Sequence, residues 1–409
     1  MKADIIVIGG GASGIMAAVC AARQGAEVVI LERMPRIGKK LLATGNGRCN
    51  YTNEQMGPEY YHSRRPAQVS AVLEEFNEKD TLAFFKDLGI LPKSNDGYVY
   101  PNSMQAASIL DCLRFELTHL GVKVLENKNV HQISSRGKGF QVKCENEIFH
   151  CRRLILACGG RAAEKLGSDG SGYRLVKSLG HHIIPVVPAL TGLKTKETIY
   201  KSLAGVRTEA VVSLYVDGKL QDSHRGEVQL ADYGISGIPV FQISGQAAYG
   251  LKEHRDVRCS LDFFPDMTMD CLIDFLEKRK KRFRSRDTEV FETGLLNRKL
   301  IQACMKLTGG RRQELPDMKA LAGLLKAFPA SVTESRGYEY AQVCAGGVDL
   351  KEIDAKSCRS LYHPGLYITG ELLDADGICG GYNLQWAWAT GFLAGNHAGK
   401  ECHDSNRTN

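Results

Sequence analysis

The sequence predicts an α/β fold, and three neighbouring patterns near its start carry this prediction. Residues 4–8 form an apolar run with several β-branched members, which is typical of a buried strand. Residues 15–24 have a helical pattern that Gly25 ends, and a second apolar strand follows at residues 28–32. A strand, a helix and a second strand in this order predict a parallel sheet of the nucleotide-binding kind.

The turn between the first strand and the helix carries glycines spaced as G-x-G-x-x-G. Gly9 allows a tight turn, Gly11 lets the backbone approach a pyrophosphate, and Gly14 lets helix and strand pack closely. The helix N-terminus, at Ala12 and Ser13, supplies N–H groups and a positive dipole end for the phosphates. These residues predict a dinucleotide site in a Rossmann-like domain, with a glycine turn of an unrelated α/β protein as the alternative.

An acidic residue ends the second strand where such a site needs one. Glu32 lies eighteen residues after Gly14, where a carboxylate can bind both hydroxyls of a ribose. This favours an unphosphorylated ribose, as in FAD or NAD, and the adjacent Arg33 leaves a 2′-phosphate as the alternative. We expect both residues to lie at the cofactor.

The composition is that of an ordinary globular protein with two or three domains. The chain has 409 residues, of which 43% are hydrophobic and 24% charged, and its net charge is +7. The densest basic run, at residues 278–286, predicts the solvated end of a helix rather than a nucleic-acid patch. We therefore expect no nucleic-acid partner and a slight preference for anionic substrates.

Targeting and metal-binding signals are missing from the sequence. The chain begins with Lys2 and Asp4, and glycines interrupt the apolar run that follows, so no signal peptide is predicted. Because no run of about 18 apolar residues is present, no membrane span is expected. The thirteen cysteines show neither C-x-x-C nor metal-ligand spacing, which indicates reduced thiols, a cytoplasmic protein and no bound metal.

Residues 36–50 are rich in glycine, basic and small polar residues and have no clear periodicity. They predict a loop over the cofactor, with a solvated surface loop as the alternative. Basic side chains would neutralise a pyrophosphate there, and backbone N–H groups would face the cofactor. The residues expected to do so are Lys40, Asn46, Gly47, Arg48, Cys49 and Asn50.

The same segment, Gly-Lys-Lys-Leu-Leu-Ala-Thr-Gly-Asn-Gly-Arg-Cys-Asn at residues 38–50, resembles a family of bacterial flavoproteins. These are the NAD(P)/FAD-dependent oxidoreductases of the "aminoacetone oxidase family", and one branch reduces 3-oxo-4,6-diene bile acids. The resemblance runs over the whole chain. It implies FAD as cofactor and a two-dinucleotide-binding FAD domain with an inserted β-rich domain and a small helical subdomain.

Changes of pattern along the chain give the expected domain bounds. Strand patterns dominate from about Thr191, residues 269–325 are mostly helical, and a glycine turn into a strand begins at Ala345. The FAD-binding domain is expected at 1–190 and 345–409, the β-rich domain at 191–265 and 329–344, and the helical cap at 266–328.

A second strand that ends in glycines, at residues 154–160, strengthens the case for FAD over NAD. Its pattern predicts that Cys158, Gly159 and Gly160 bring the backbone close to the dinucleotide, as the first turn does. By resemblance, Val130 contacts adenine through its backbone. The strand that ends in Gly370 and Glu371 would, by resemblance, bind the ribitol or pyrophosphate region.

The last predicted helix, residues 384–398, begins after a pair of glycines. Its N-terminus would point at the flavin pyrimidine, where N–H groups and the helix dipole stabilise the negative charge of reduced flavin. The residues expected to contact the cofactor here are Gly381, Tyr382, Asn383 and Leu384.

Some reactive side chains have two interpretations. Asp374 and Asp376 are expected as solvated turn residues, with a role at the site as the alternative. Cys49 and Cys379 are expected to be packing residues rather than redox groups, because no paired cysteine motif accompanies them.

A tyrosine suits proton donation to an apolar enone, but the sequence does not choose among the candidates, so no catalytic residue is predicted. The candidates are Tyr98, Tyr100, Tyr233 and Tyr382.

The leading functional prediction is an FAD-dependent reductase of a conjugated C=C bond, acting on a 3-oxo-Δ4 or Δ4,6 bile acid or steroid. Because one nucleotide fingerprint is present, NAD(P)H would donate electrons by binding transiently in the substrate cavity. The substrate is expected to be a small, apolar molecule with an anionic group. Two alternatives are a flavin oxidase of small amines that uses O₂ and a non-catalytic flavin-bound regulatory or RNA-interacting protein. The sequence does not predict the oligomeric state.

Overall fold

The computed structural model describes residues 1–137, 139–283, 288–310 and 314–407, which form two units with separate hydrophobic cores. Unit 1 consists of Met1–Val187 and Gln342–Asn409, and unit 2 consists of Pro188–Ala341. The predicted α/β class is confirmed, with a Rossmann-like sheet in unit 1 and a β-barrel in unit 2. The finer division into five segments, with a separate helical subdomain, stays a prediction.

The strands and helices of the first part of unit 1 begin with the strand, helix and second strand that the sequence predicts. In chain order they are β1 (Lys2–Ile8), α1 (Ala12–Arg23), β2 (Val28–Leu31), α2 (Lys39–Ala43), β3 (Thr52–Asn53), β4 (Tyr61–His62), α3 (Pro66–Glu75), α4 (Glu78–Asp87), β5 (Pro92–Asn95), β6 (Tyr98–Pro101), α5 (Ala106–His119), β7 (Lys123–Leu125), β8 (Val130–Arg136), β9 (Gly139–Cys144), β10 (Glu147–Leu156), α6 (Ser171–Ser178) and β11 (Ile183–Ala189).

Unit 2 combines strands with helices. These are β12 (Leu193–Thr195), α7 (Tyr200–Leu203), β13 (Arg207–Val216), β14 (Lys219–Ala231), β15 (Gly234–Gly237), α8 (Ile238–Lys252), β16 (Val257–Asp262), α9 (Met269–Phe283), α10 (Thr288–Glu292), α11 (Arg298–Leu307), α12 (Met318–Lys326) and β17 (Phe328–Ser335). The strands close into a barrel of order β12-β15-β14-β13-β16-β17. Alternating apolar residues of β13 point into its core, which gives the strand its period of two.

The chain then completes unit 1 with short strands and a long helix. These are β18 (Val343–Val348), β19 (Ile353–Asp354), β20 (Arg359–Ser360), β21 (Leu366–Ile368), β22 (Asp376–Gly377) and α13 (Tyr382–Arg407). The main sheet has the order β19-β20-β21-β10-β1-β2-β7, and the β8–β9 hairpin joins it through β10. Strand β1 lies inside this sheet and pairs in parallel with β10 and β2. The carboxyl ends of these strands therefore meet at one edge, where nucleotides bind in such sheets.

Glycines spaced four residues apart let α13 pack directly on α1. A Cβ atom at Gly391 would lie 2.4 Å from the carbonyl oxygen of Ser13, and one at Gly395 would lie 2.3 Å from that of Ala17. Because only a residue without a side chain fits, the two backbones come into close contact. This packing fixes α13 against the helix that follows the first glycine turn.

Two segments differ from the sequence prediction through local helix formation. Residues 36–50, predicted as a loop, contain α2 and a 3₁₀ turn at Thr44–Gly47. The run Lys-Lys-Leu-Leu-Ala of α2 consists of good helix formers. Residues 233–244, predicted as part of a β-rich domain, form β15 and then α8. Pro239 lies in the first turn of that helix, and Val240, Ile243 and Ala247 form its buried face.

Candidate functional site

The glycines of the first glycine turn are required for different structural reasons. Gly9 has a φ of +104°, which favours glycine, and a Cβ at Gly14 would lie 1.9 Å from the Gly9 carbonyl oxygen. Gly11 differs, because its φ is −83° and a Cβ there would meet no atom within 4 Å. The turn therefore requires glycine for backbone conformation and packing at 9 and 14. At Gly11 the space is open, as an approaching pyrophosphate requires.

The carboxylate of Glu32 is fixed at the end of β2. Its two oxygens accept hydrogen bonds from the backbone N–H groups of Gly10 and Met34, each at 2.7 Å. Each oxygen of a carboxylate can accept more than one hydrogen bond. The Glu32 carboxylate is therefore held in place and can still bind ribose hydroxyls.

A cleft opens beside Glu32 at the carboxyl edge of the sheet. Five of the predicted cofactor residues line it: Gly9, Glu32, Arg33, Val130 and Cys158. The remaining lining residues are Ile8, Leu31, Lys128, Asn129, Gly167, Ser171 and Leu175. The apolar members form walls suited to adenine, and the carboxylate and basic groups suit a ribose phosphate. The structure thus joins residues from four distant parts of the chain.

Arg33 is held at the cleft by the glycine loop before α6. Its guanidinium donates to the carbonyl oxygen of Gly167 at 3.1 Å and lies 3.4 Å from the Asp169 carboxylate. Burial favours the neutral form of Asp169, but hydrogen bonds from Ser171 and the charge of Arg33 outweigh it and lower the pKa. The loop at residues 167–170 and the start of α6 therefore form a wall of the cleft.

A second group of predicted residues surrounds Glu371. The Lys40 ammonium lies 2.7 Å from one Glu371 carboxylate oxygen, and the other accepts the N–H of Cys344 at 2.9 Å. A Cβ at Gly160 would lie 2.5 Å from this carboxylate. Gly370 has a φ of +67° and lies against the Ser13 hydroxyl. The contact with Cys344 was not predicted, since no sequence pattern links Glu371, in the 3₁₀ turn Gly370–Leu372, to a residue of β18.

The start of α13 forms a third group with residues 50–53. Asn53 donates its side-chain amide to the Gly380 carbonyl at 2.9 Å. The Asn383 side chain bonds to the N–H and the carbonyl of Gly377, at 2.9 and 2.6 Å. The side-chain oxygen of Asn50 is buried and has no hydrogen-bond partner among the described residues. A buried polar atom without a partner is costly, so this amide is suited to a ligand.

Other predicted residues of the same segment lie elsewhere. Asn46 and Gly47 are exposed in the 3₁₀ turn, and Arg48 is exposed directly after it, with its guanidinium 5.4 Å from the centre of the Tyr100 ring. The cofactor contacts of these three residues stay a prediction, as do those of every other residue expected at the site, including Ala12, Gly159 and Leu384.

Cysteines near the predicted cofactor are protonated in the folded protein. Burial raises the pKa of Cys49 and of Cys379 to about 12. None of the thirteen cysteines forms a disulfide, and the described residues contain no group of side chains that could hold a metal ion. The geometry favours the packing interpretation over a redox role.

Tyrosines cluster where α13 begins. Gly380 lies between the rings of Tyr98 and Tyr382, since a Cβ there would be 3.0 and 2.9 Å from their edges. Tyr60, which the sequence reasoning missed, stacks on Tyr382 with ring centres 4.8 Å apart. Burial raises the pKa of both Tyr98 and Tyr382. Of the candidate proton donors, Tyr233 lies in unit 2.

The expectation that Asp374 and Asp376 are solvated is wrong. Both are buried, and Asp376 lies on β22 opposite His62 of β4, whose ring is 3.4 Å from the Asp376 carboxylate. Burial raises the pKa of Asp374 to about 6, and it also raises that of Asp376. The sequence holds no signal for this cluster, since His62 and Asp376 are far apart along the chain.

The three groups fit a dinucleotide that extends from the cleft to α13. The cleft offers an adenosine site, Gly11 an open approach for phosphates, and Asn50 an unsatisfied buried oxygen. Together with the parallel sheet, these features define a Rossmann-type FAD-dependent oxidoreductase.

The chain belongs to the family described as HI0933-like protein Rossmann domain, whose model matches residues 3–397. It is 45% identical over 401 residues to the 3-dehydro-bile acid delta(4,6)-reductase of Clostridium scindens, covering 96% of this chain and 98% of the relative. It is 27% identical over 399 residues to the ribosomal RNA dihydrouridine synthase of Haemophilus influenzae, covering 95% and 96%. The family resemblance that the sequence suggested is therefore confirmed.

A solved structure shows the same fold at low sequence identity. The 3-ketosteroid delta1-dehydrogenase of Sterolibacterium denitrificans matches 98% of this chain and 100% of its own, with a TM-score of 0.52 and 13% identity. Across the described residues, every helix is too short or too polar to traverse a lipid bilayer.

Proposed function

We propose that the protein is an FAD-dependent ene reductase that uses NAD(P)H to saturate a C=C bond conjugated to a ketone. The proposed substrate is a 3-oxo-Δ4 or Δ4,6 bile acid or steroid, and the proposed location is the cytoplasm. The observation that carries this proposal is the 45% identity, over nearly both full lengths, to a 3-dehydro-bile acid delta(4,6)-reductase.

The names of two relatives share one kind of chemistry. A delta(4,6)-reductase of a 3-oxo compound and a synthase of dihydrouridine both saturate a C=C bond that is conjugated to a carbonyl. The carbonyl makes the distant alkene carbon electrophilic, so hydride adds there and a proton adds beside the carbonyl. This shared reaction supports a common catalytic centre with different substrates.

Residues of unit 1 have separate tasks in this proposal. Glu32 would hold the ribose, and the turn at Gly11 would hold the pyrophosphate. Lys40 and Glu371 would hold the part of the cofactor that follows the pyrophosphate. FAD, when bound, supplies the hydride transfer. The first N–H groups of α13 have no partner within the helix, and they would stabilise negative charge at the adjoining end of the cofactor.

Tyr98 is the proposed proton donor among the tyrosines at α13. Its ring is half-buried beside Gly380, whereas Tyr382 is buried and stacked on Tyr60. The raised pKa, caused mainly by burial, keeps the proton on its oxygen at neutral pH. In this proposal, Tyr98 donates the proton that adds to the carbon beside the ketone.

The test is anaerobic stopped-flow of the purified yellow protein. The enzyme is reduced with NADH or NADPH and then mixed with a 3-oxo-4,6-diene bile acid, and in parallel with O₂. Fast reoxidation by the steroid and slow reoxidation by O₂ are expected. Fast reaction with O₂ and none with the steroid would instead establish an oxidase, and reduction by neither nicotinamide would refute the proposed donor.

A second candidate function is reduction of uridine in ribosomal RNA. The 27% identity to a ribosomal RNA dihydrouridine synthase favours it, and the expected exclusion of nucleic acid stays a prediction. The basic run at residues 278–286 ends helix α9 with exposed Lys278, Lys281 and Arg282, while residues 284–286 lie outside the described chain. Mass spectrometry of nucleosides, after unmodified ribosomal RNA is incubated with reduced enzyme, decides between the two substrates.

A further inference from the structure

Helix α13 of unit 1 binds both backbone polar groups of Gly370, the residue before Glu371. The indole N–H of Trp386 donates to the Gly370 carbonyl oxygen at 3.1 Å, and the hydroxyl of Thr390 accepts the Gly370 N–H at 2.9 Å. Trp386 and Thr390 are four residues apart, so they lie on one face of the helix. The peptide groups on both sides of Gly370 are therefore held by α13.

These two hydrogen bonds are shielded from water. Trp386 is 1% exposed and Thr390 is 0% exposed. The Thr390 hydroxyl donates its own proton to the Trp386 carbonyl oxygen at 2.7 Å, so its lone pairs are available to the Gly370 N–H. A buried N–H that loses its acceptor is costly, and the backbone at Gly370 therefore depends on this hydroxyl.

The conformation of Gly370 determines where the Glu371 side chain begins. Gly370 has a φ of +67°, and a Cβ there would lie 2.6 Å from the Ser13 hydroxyl of α1. The Glu371 carboxylate in turn contacts the Lys40 ammonium and the Cys344 N–H. A rotation of either peptide group of Gly370 would displace this carboxylate from both partners.

The second tryptophan of α13 makes the same kind of hydrogen bond to a different segment. Trp388 is also fully buried, and its indole N–H donates to the Tyr51 carbonyl oxygen at 2.9 Å. One indole thus holds the turn that carries Glu371, and the other holds the residue after Asn50. The helix therefore offers a matched pair of donors with which the two contacts can be compared.

We propose that Thr390 and Trp386 are positioning residues for the cofactor, because they hold the Glu371 carboxylate in place through the backbone of Gly370. The inference rests on the cofactor role that the proposed function gives to Glu371, and it does not depend on the substrate. Neither side chain needs to contact FAD. Helix α13 then acts at two places, through its first N–H groups and, by way of Gly370, at the carboxylate.

The first test measures the Kd for FAD of Thr390→Val, which keeps the shape of the side chain and loses the acceptor. We expect the Kd to rise about 10-fold, whereas Thr390→Ser, which keeps the hydroxyl, should stay within about twofold of the wild type. Thr81→Val is the matched control, because the buried Thr81 hydroxyl has no hydrogen-bond partner among the described residues. Fluorescence of flavin released from the diluted holoprotein measures each Kd. An unchanged Kd in Thr390→Val, or a Thr390→Ser protein as weak as Thr390→Val, would overturn the proposal.

A double-mutant cycle then shows whether the effect passes through Glu371. In a Glu371→Ala background no carboxylate is left to be displaced, so Thr390→Val should change the Kd by less than about twofold. Trp386→Phe removes the other hydrogen bond to Gly370, and its effect should vanish in the same background. Trp388→Phe should change the Kd by the same factor with and without Glu371. A 10-fold effect of Thr390→Val that persists in Glu371→Ala would show a general structural role and refute positioning.

These outcomes are separable from those of the proposed reaction. FAD binding is measured without substrate or nicotinamide, so coupling between Thr390 and Glu371 would stand even if stopped-flow refuted the ene reductase. Reduction of the steroid without such coupling would overturn the positioning role alone. A wild-type protein that binds no FAD would overturn both.

Discussion

The ammonium of Lys40 lies 2.7 Å from the carboxylate of Glu371, although 331 positions separate the two residues in the chain. Both side chains are largely buried, and Glu371 also accepts the N–H of Cys344. The pair thus joins helix α2 to the 3₁₀ turn Gly370–Leu372, which follows β21. Its net charge is zero, so it can lie beside cofactor phosphates without repelling them.

Loss of the positive member should therefore weaken FAD binding. In Lys40→Met the Glu371 carboxylate stays, unpaired and close to the phosphates, and we expect the Kd for FAD to rise by about 10- to 100-fold. Fluorescence of released flavin measures it. The neighbouring Lys39 donates to the Lys165 carbonyl and is exposed, so Lys39→Met should change the Kd by less than about threefold. Equal effects of both substitutions would contradict the assigned role.

The first glycine turn allows cofactor contact and packing to be separated. Gly11→Val should fold and lack bound flavin, because the new side chain enters the open space of the phosphate approach. Gly14→Ala should instead destabilise the protein by about 3 kcal/mol, since its Cβ overlaps the Gly9 carbonyl. Absorbance at the flavin band and urea unfolding of the flavin-depleted variants measure the two effects. A yellow Gly11→Val protein would show that the turn does not bind the pyrophosphate.

Local patterns explain why part of the site was predictable. The strand, the glycine turn and Glu32 act through neighbours in sequence, and the structure places Glu32 at the cleft with Val130 and Cys158. The pairing of His62 with Asp376 was not predictable, because it depends on two short strands, β4 and β22, that no periodicity marks. Two-residue strands are set by the tertiary fold rather than by their own sequence.

In unit 2, an apolar pattern did not distinguish a helix from a strand. Helix α8 was missed because its first residues, Ile238 and Val240 among them, are apolar and suit either element. The packing of α13 on α1 depends on Gly391 and Gly395, whose role becomes visible only when Ser13 and Ala17 lie opposite them.

Proton donation by Tyr98 predicts a selective kinetic defect. Tyr98→Phe should slow reoxidation of the reduced enzyme by the diene about 100-fold and leave its reduction by the nicotinamide unchanged. Tyr362→Phe, at an exposed tyrosine of the same unit, is the control. The measurement is stopped-flow absorbance of each half-reaction. If both half-reactions slow alike, the tyrosine acts on cofactor position rather than on the proton.

Thiol chemistry should not contribute to turnover. Cys49 and Cys379 have raised pKa values near 12 because of burial, so neither supplies a thiolate at neutral pH. Cys379→Ser and Cys49→Ala should each keep at least about half of the wild-type kcat. Steady-state rates with and without iodoacetamide test this. Loss of nearly all turnover in Cys49→Ala or Cys379→Ser would contradict this prediction and support a redox role, whereas inactivation by iodoacetamide alone would show only that the added group blocks the site.

Asp374 should make the protein less stable as the pH rises from the ordinary pKa of an aspartate to the raised pKa of this buried carboxyl. Its pKa of about 6 in the fold exceeds the ordinary value of 3.8, so the native state keeps a proton that the unfolded chain has released. Between these values the unfolding free energy contributed by Asp374 falls with pH, by about 1.4 kcal/mol per unit. Asp374→Asn removes this cost and still accepts the Arg64 N–H. In urea unfolding, the gain in unfolding free energy of Asp374→Asn over the wild type should be about 2 kcal/mol larger at about pH 7.5 than at about pH 4.5. Asp96→Asn, at an exposed turn, should show no such difference, and a pH-independent effect of Asp374→Asn would mean that the carboxyl is ionised in the fold throughout.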